Sequence, residues 1–187
     1  MKYYEFVPGD TVKLATGQIL KRIRATTRIG AHGVKPGDLG GYIESPDNLS
    51  GQAWVSGEAW VYGAAMVYGN ARVSDKARVF GNALVCDDTM VYGNAHVYDK
   101  ARVFGNALVC DDARVFGNAH IYDKARVFGN AQVSGNAQVS GNAHVYDKAR
   151  VGGSVRVSGN AQIYGEARVS IIARVDGNTK IYGNTNV

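Results

Sequence analysis

Residues 101–106 read Ala-Arg-Val-Phe-Gly-Asn, and this six-residue unit decides the fold because its pattern recurs without insertion from Gln52 to the last residue. An aliphatic residue falls on every sixth position from Val55 to Val187, and a small residue lies two positions before nearly every one. In an extended segment the Ala and Val of the unit point to one side, and its Arg and Phe point to the other. The Gly-Asn pair suits a corner, since Gly has no Cβ and Asn tolerates the left-handed region better than most residues.

The six-residue period favours a stack of short strands over a helix. Positions six apart would drift around a helix of 3.6 residues per turn, and recurrent Gly and β-branched residues oppose helix formation further. Strict self-similarity at a fixed period is typical of a solenoid, in which each turn buries its inner face on its neighbours.

The order aliphatic, variable, Gly, Asn, small, variable resembles the hexapeptide repeat of left-handed parallel β-helices. The resemblance implies that three units form one triangular coil, so that residue i lies on residue i+18. The pattern extends upstream to Ile43. We therefore expect an all-β, left-handed parallel β-helix over residues 43–187, with about eight coils in a rod about 40 Å long.

Residues 1–42 break the six-residue period and predict an N-terminal cap. Thr11–Ala15 and Gln18–Ala25 have strand composition and are separated by a Thr16-Gly17 turn, which indicates a β-hairpin. A solenoid needs its first open coil covered. We expect the cap and the solenoid to form one continuous structural domain.

Three N-terminal stretches are similar to the signature of phage and prophage hexapeptide-repeat proteins, a group that includes YdcK-like proteins often labelled acetyltransferases. The stretches are Ile19–Arg24, Val34–Glu44 and Asn48–Val55. The resemblance covers the whole chain and implies a phage- or prophage-encoded protein. It implies little about function.

Composition predicts a cytoplasmic protein. The chain has no apolar run long enough to span a membrane and no signal-peptide core after Met1, so we expect no membrane partner. Cys86 and Cys110 take equivalent outward positions in two copies of the same segment, 24 residues apart. This spacing places them on different faces, and unpaired thiols suit a reducing compartment.

The positive charge is concentrated in the cap. Residues 1–42 hold seven Lys or Arg and three Asp or Glu, whereas the rest of the chain holds fourteen and thirteen. We interpret the solenoid charges as a solvated surface with weak local ion pairs between outward Arg and corner acids. This distribution gives nucleic acid little support as a partner. The candidate basic cap consists of Lys13, Lys21, Arg22, Arg24 and Arg28.

The histidines argue against catalysis. A second period of 24 residues spans four units, whereas a coil has three, so equivalent residues of successive copies lie on different faces. His96, His120 and His144 are equivalent in this way and cannot converge on a metal or a reacting atom. His32 stands in the cap between Gly30 and Gly33, where we expect a loop role.

Acyltransferases of the resembled superfamily use a histidine and a loop that protrudes from the coils, with acyl-CoA bound between subunits. The unbroken six-residue period leaves no such loop. No phosphate-binding Gly-rich motif, serine-nucleophile motif or metal-spaced Cys/His cluster is present in the sequence. We predict no catalytic, cofactor or metal site.

Stacking at i+18 predicts three outward faces, of which face 1 interleaves aromatic and cationic side chains. Such a face suits contact with a protein or stacking against bases. Ordinary cross-strand packing on an exposed β surface is the alternative interpretation. The candidate partner residues on face 1 are Trp60, Tyr62, Arg78, Phe80, His96, Tyr98, Arg114 and Phe116.

Face 2 carries more apolar side chains than a monomer needs to expose, and it is our candidate face for self-association. Face 3, with Arg102, His120 and Gln138, is more polar and should stay hydrated. An Ile-Ile pair also replaces a Gly-Asn corner near the C-terminal end. We expect a homo-oligomer, most simply a dimer. Its candidate contacts are Met90, Tyr92, Leu108, Phe128, Tyr146, Ile171 and Ile172.

The sequence thus predicts a non-enzymatic binding or assembly rod with no cofactor. Two alternatives stay open. One is an inhibitor of a bacterial defence system that binds a host protein or nucleic acid, and the other is a hexapeptide-repeat acyltransferase.

Overall fold

The computed structural model describes residues 3–187, and the fold begins with the predicted hairpin. Strand β1 (Tyr4–Lys13) pairs antiparallel with β2 (Ile19–Ala25), with a register irregularity between Phe6 and Thr11. Strand β3 (Leu39–Ile43) pairs antiparallel with β2 and parallel with the solenoid strand that begins at Trp60. The hairpin and the solenoid therefore share one sheet. Residues 1 and 2 of the predicted cap lie outside the described residues.

From residue 54 onward the chain forms two-residue strands that stack in three parallel sheets. Sheet 1 continues from β3 with β5 (Trp60–Val61), β8 (Arg78–Val79), β11 (His96–Val97), β14 (Arg114–Val115), β17 (Gln132–Val133), β20 (Arg150–Val151) and β23 (Arg168–Val169). Sheet 2 contains β4 (Trp54–Val55), β7 (Arg72–Val73), β10 (Met90–Val91), β13 (Leu108–Val109), β16 (Arg126–Val127), β19 (His144–Val145), β22 (Gln162–Ile163) and β25 (Lys180–Ile181). Sheet 3 contains β6 (Met66–Val67), β9 (Leu84–Val85), β12 (Arg102–Val103), β15 (His120–Ile121), β18 (Gln138–Val139), β21 (Arg156–Val157) and β24 (Arg174–Val175). Two short 3₁₀ turns occur at Gly30–His32 and Pro46–Asn48.

The register is the predicted one, since His96 pairs with Arg78 on one side and with Arg114 on the other, each 18 residues away. The structure confirms an all-β solenoid of about eight stacked parallel coils. The left-handed sense of the coil stays a prediction from the resemblance. Inside, the aliphatic row and the small-residue row are almost fully buried from Ala53 to Val169, and together they form one continuous core. Thr89, which replaces an inward Ala, donates its hydroxyl hydrogen to the Cys86 carbonyl oxygen at 2.6 Å.

The signature segment joins the cap to the first coil through close backbone contacts. A Cβ built on Gly40 would lie 2.5 Å from Ile23 Cγ1 and 2.7 Å from the Val55 carbonyl oxygen, and one built on Gly41 would lie 2.6 Å from the Ala59 carbonyl oxygen. Only glycine fits at these two positions. Downstream, the buried Asn48 side chain donates to two carbonyl oxygens of the first solenoid turns at 2.8 and 3.0 Å.

The corners correct one sequence-based interpretation. Among the described residues the left-handed position is taken by the first corner residue, which is Gly, Asp or, once, Ile171, and never by Asn. The Asn residues form a separate ladder in which one side-chain amide donates to the next, as from Asn118 to Asn136 at 3.1 Å. Asn therefore contributes side-chain hydrogen bonds between coils rather than tolerance of a positive φ.

The corner acids also differ from the weak ion pairs that we expected. Each left-handed Asp accepts a hydrogen bond from a glycine N–H of the next coil, as Asp75 does from Gly93 at 3.0 Å and Asp111 from Gly129 at 3.0 Å. Each left-handed Asp has a Gly 18 residues before it and another 18 residues after it, because Asp recurs every twelve residues from Asp75 to Asp123, which is two units, while a coil has three units. No left-handed Asp lies directly on another, so repulsion between adjacent carboxylates is avoided.

Candidate binding surfaces

Face 1, the outer surface of sheet 1, carries an aromatic ladder of four rings near the cap. The ring centroids are 5.0 Å apart for Tyr62 and Phe80, 4.9 Å for Phe80 and Tyr98, and 5.0 Å for Tyr98 and Phe116, with interplanar angles of 2–4°. Neighbouring rings cover each other's π faces, so the interior of the ladder presents ring edges to the outside. Stacking against bases, which the sequence suggested for this face, is restricted to the two ends of the ladder.

The cations beside this ladder are partly engaged within the protein. The Arg78 guanidinium lies 4.3 Å from the Trp60 ring centroid, in cation–π geometry. His96 packs edge-on against Phe80, with ring centroids 6.4 Å apart. Burial, followed by the charges of Arg78 and Arg114, lowers the pKa of His96. Arg114 is exposed.

Farther from the cap, the second row of face 1 loses its aromatic residues. The ladder positions become Ser134, Gly152 and Ser170. A cavity of about 480 Å³ opens there, and Gln132, Ser134, Arg150, Val151, Gly152, Arg168, Val169, Ser170 and Asn186 line it. Sequence reasoning noted the small residues and missed the cavity, because the volume appears only when three coils are stacked.

The candidate basic cap is largely cross-linked within the protein. Arg22 is mostly buried, lies 2.9 Å from both Asp10 and Glu58, and stacks on Tyr42 at 4.4 Å. Arg24 pairs with Glu5, and Lys21 lies 5.1 Å from the Phe6 ring centroid. Arg22 and Arg24 therefore hold the hairpin together and do not form a free anionic docking site. Arg28 is exposed, and Lys13 borders a groove beside Trp60, Tyr62 and Arg78.

Face 2, the outer surface of sheet 2, has an apolar centre flanked by cations. Met90 is 46% exposed and pairs with Leu108, while Arg72 and Arg126 occupy the strands on either side. Beyond them a second ladder runs through Phe128, Tyr146, Tyr164 and Tyr182, with centroids 4.9–5.3 Å apart. Tyr92 is half-buried in the same row.

The two cysteines lie on different sheets, as predicted, but their thiols are covered. Cys86 and Cys110 are only 6% and 5% exposed although they occupy outward positions. Tyr68 and Tyr92 of the preceding coil lie next to them in the stack, and burial raises the pKa of both thiols. Outward side chains can thus be buried by their own ladder, which strand alternation alone does not reveal.

His32 lies closer to face 2 than its loop position suggested. It shares a groove of about 210 Å³ with Asn70, Arg72, Asp88 and Met90. Burial, followed by the charge of Arg72, lowers the pKa of His32.

His96, His120 and His144 lie on β11, β15 and β19, in three different sheets, as their spacing predicted. Within residues 3–187, no group of three His, Cys, Asp or Glu residues is arranged to hold a metal ion.

The Ile-Ile corner has a β-branched residue in the left-handed backbone conformation. Ile171 has φ 70°, where a β-branched residue is strained, and Ile171 and Ile172 are 78% and 83% exposed. This corner adjoins the Ser134–Ser170 end of face 1.

Comparison with known proteins matches one part of the solenoid. Residues 131–147 and 137–153 fit the family model described as the YdcK beta solenoid repeat. This chain is similar to that repeat. The match covers the strands from β17 to β20. No curated protein matches the chain. Within residues 3–187, no helix is long and apolar enough to cross a membrane.

Proposed function

We propose that this β-solenoid is a non-enzymatic rod that functions in binding or assembly. The observation that carries the proposal is the unbroken coil, in which parallel pairing runs from β4 to β25 and no loop protrudes. The three equivalent solenoid histidines are divided among three faces, so they form no common reaction centre. Flat faces with regular side-chain rows suit contact with another macromolecule.

We propose face 2 as the surface for homodimerisation. Its apolar centre at Met90 and Leu108 is bordered by Arg72 and Arg126, an arrangement like the apolar core and polar rim of protein interfaces. A two-fold axis through this centre would place the same patch on both subunits. Tyr92, Phe128 and Tyr146 would extend the contact along the rod.

The N-terminal similarity supports a phage or prophage source and action in the host cytoplasm. A host protein is the favoured outside partner, since Arg22, Arg24 and Arg78 are already engaged within the chain. Inhibition of a bacterial defence system is one form that such binding would take.

Light scattering on the purified protein tests the dimer. We expect a dimer mass for the unmodified protein and a monomer mass for the double variant Leu108→Glu with Phe128→Glu. The matched control is Gln138→Glu with Ser158→Glu, which places the same two charges at equivalent positions on face 3 and should leave the dimer intact. A monomeric unmodified protein would refute self-association.

A pull-down from bacterial lysate, with and without nuclease, tests the outside partner. Capture of a defined protein that survives nuclease supports the proposal, whereas nuclease-sensitive capture would favour nucleic acid. Acetyl transfer from acetyl-CoA by the purified protein, abolished by replacing one histidine, would overturn the non-enzymatic assignment.

A further inference from the structure

The cavity at the second half of face 1 contains two arginines that lack a carboxylate partner. Arg150 and Arg168 are paired residues on the neighbouring strands β20 and β23, and both are exposed. Within the part of the chain that the structure describes, no carboxylate oxygen lies within 4.0 Å of either guanidinium. Like charges on directly paired residues repel each other, so this arrangement carries a cost that a bound anion would remove.

The corners beside the cavity leave this charge uncompensated. In three successive coils, the corner that follows the face 1 strand contains no acid. These corners are Gly135-Asn136, Gly153-Ser154 and Ile171-Ile172. At the corner that precedes them, Asp147 accepts from the Gly165 N–H at 3.0 Å, and Glu166 pairs with Lys148 at 3.2 Å.

The same rod contains a natural comparison on face 3. Arg156 and Arg174 are paired there in the same way, beside a cavity of about 200 Å³. At that site Asp176, two residues after Arg174, binds its guanidinium at 2.9 Å. The equivalent residue on face 1, two after Arg168, is Ser170. One arginine of the face 3 pair thus has a carboxylate partner, whereas within residues 3–187 neither arginine of the face 1 pair has one.

The other end of the cavity adjoins an unfinished aromatic ladder. Phe116 stacks on Tyr98 on one side, and the next ladder position, 18 residues on, is Ser134. No aromatic ring of residues 3–187 stacks on the second face of Phe116. A flat ring from a ligand would fit in this position as the next member of the ladder.

We propose that the cavity binds a nucleoside diphosphate, with its base on Phe116 and its phosphates on Arg150 and Arg168. Coils are about 4.8 Å apart, so the two arginines lie about one and two coils beyond the vacant ring position, in the neighbouring row of the same face. Guanidinium groups bind phosphate oxygens bidentately, and the hydroxyls of Ser134 and Ser170 add donors. The cavity volume of about 480 Å³ is in the range of small-molecule sites. This inference goes beyond the proposed partner binding and does not depend on it, because the dimer patch lies on face 2.

Calorimetric titration with adenosine diphosphate, inorganic pyrophosphate and adenosine tests both halves of the site. We expect adenosine diphosphate to bind saturably and more tightly than pyrophosphate, and adenosine to bind least. No saturable binding of adenosine diphosphate would refute the site, and equal affinity for pyrophosphate would refute the stacked base. Tighter binding of a short single-stranded oligonucleotide would overturn the assignment to a free nucleotide.

Two variants test the two contacts separately. Ser170→Asp copies the Arg174–Asp176 ion pair of face 3 at Arg168 and should weaken binding of adenosine diphosphate at least about tenfold. Ser134→Tyr should fill the vacant ring position, and it should abolish the preference for adenosine diphosphate over pyrophosphate while pyrophosphate still binds.

The matched control for Ser170→Asp is Ser158→Asp, which adds the same charge on face 3 and should leave binding unchanged. Unaltered affinity in Ser170→Asp, or an equal loss in the control, would overturn the role of the arginine pair. Melting temperatures of all three variants verify that they fold.

Discussion

The two halves of face 1 share one backbone and one register, yet their surfaces differ. Near the cap, the Tyr62–Phe116 ladder fills every second-row position, and Arg78 stacks on Trp60. Beyond Phe116, small residues take the same positions and leave Arg150 and Arg168 beside an open cavity. Outward side chains that are large enough to touch the next coil therefore pack on one another and leave no space for a ligand. Space for a ligand appears where the row of stacked side chains ends, beyond Phe116.

The largest expected effect comes from placing a charge inside the coil rather than on its outer surface. Val133→Asp would bury an unpaired carboxylate and should destabilise the protein by at least about 2 kcal/mol. Gln132→Asp on the same strand points outward between Arg114 and Arg150 and should be tolerated. Thermal unfolding of both variants measures the contrast, and equal losses would refute the inside and outside assignment.

A second prediction compares a corner position that lies between two aspartates with one in the acid-free corner beside the cavity. Gly129→Asp would lie between Asp111 and Asp147 in one column, whereas Gly135→Asp would lie between Gly117 and Gly153. We expect the first variant to be less stable than the second by about 1–2 kcal/mol, because three carboxylates would then be stacked. Chemical denaturation measures the difference, which should shrink at high salt. Similar stability of the two variants at low salt would show that alternation of Gly and Asp has no electrostatic role.

A third prediction quantifies the ladder itself. Phe80→Ala removes a ring stacked on two neighbours, whereas Phe116→Ala removes one stacked on a single neighbour. Each stacked pair contributes about 0.5–1.5 kcal/mol beyond burial, so Phe80→Ala should be the more destabilising by that amount. Ser134→Tyr should stabilise by a similar amount in urea unfolding. Destabilisation by Ser134→Tyr would contradict the view that the ladder position is open.

The smallest expected effect concerns pH. Burial and adjacent arginines hold the pKa of His96 below its ordinary value in the folded protein. The unfolded state therefore binds more protons as the pH falls through the ordinary histidine pKa near 6.5, and stability should decrease there and level off below the lowered pKa. His96→Gln should reduce this loss of melting temperature between pH 7 and pH 5. An identical pH profile for the variant would contradict the contribution of His96.

Much of the fold could be predicted from the sequence. The six-residue period fixes which residues point inward and which point outward, and the Gly-Asn pairs mark the corners. Even the pairing of His96 with Arg114 followed from the 18-residue coil that the resemblance implies. The site was harder to predict. Arg22 and Arg24 looked like a basic patch because their partners Asp10 and Glu5 come from the facing hairpin strand, across a turn. Cys86 looked outward because the covering Tyr68 lies one coil away.

Fixed spacing along an extended chain predicted the inward rows, and the resemblance to hexapeptide-repeat β-helices added the 18-residue register and the division of the histidines among three faces. Which outward side chains already have contact partners within the protein became clear only from the stacked coils. Whether the Cys86 thiol is covered depends on Tyr68, which lies one coil away, and the volume of a cavity depends on three coils at once. Contacts of this kind join residues that are distant in sequence, so the distances that govern them exist only in the stacked rod.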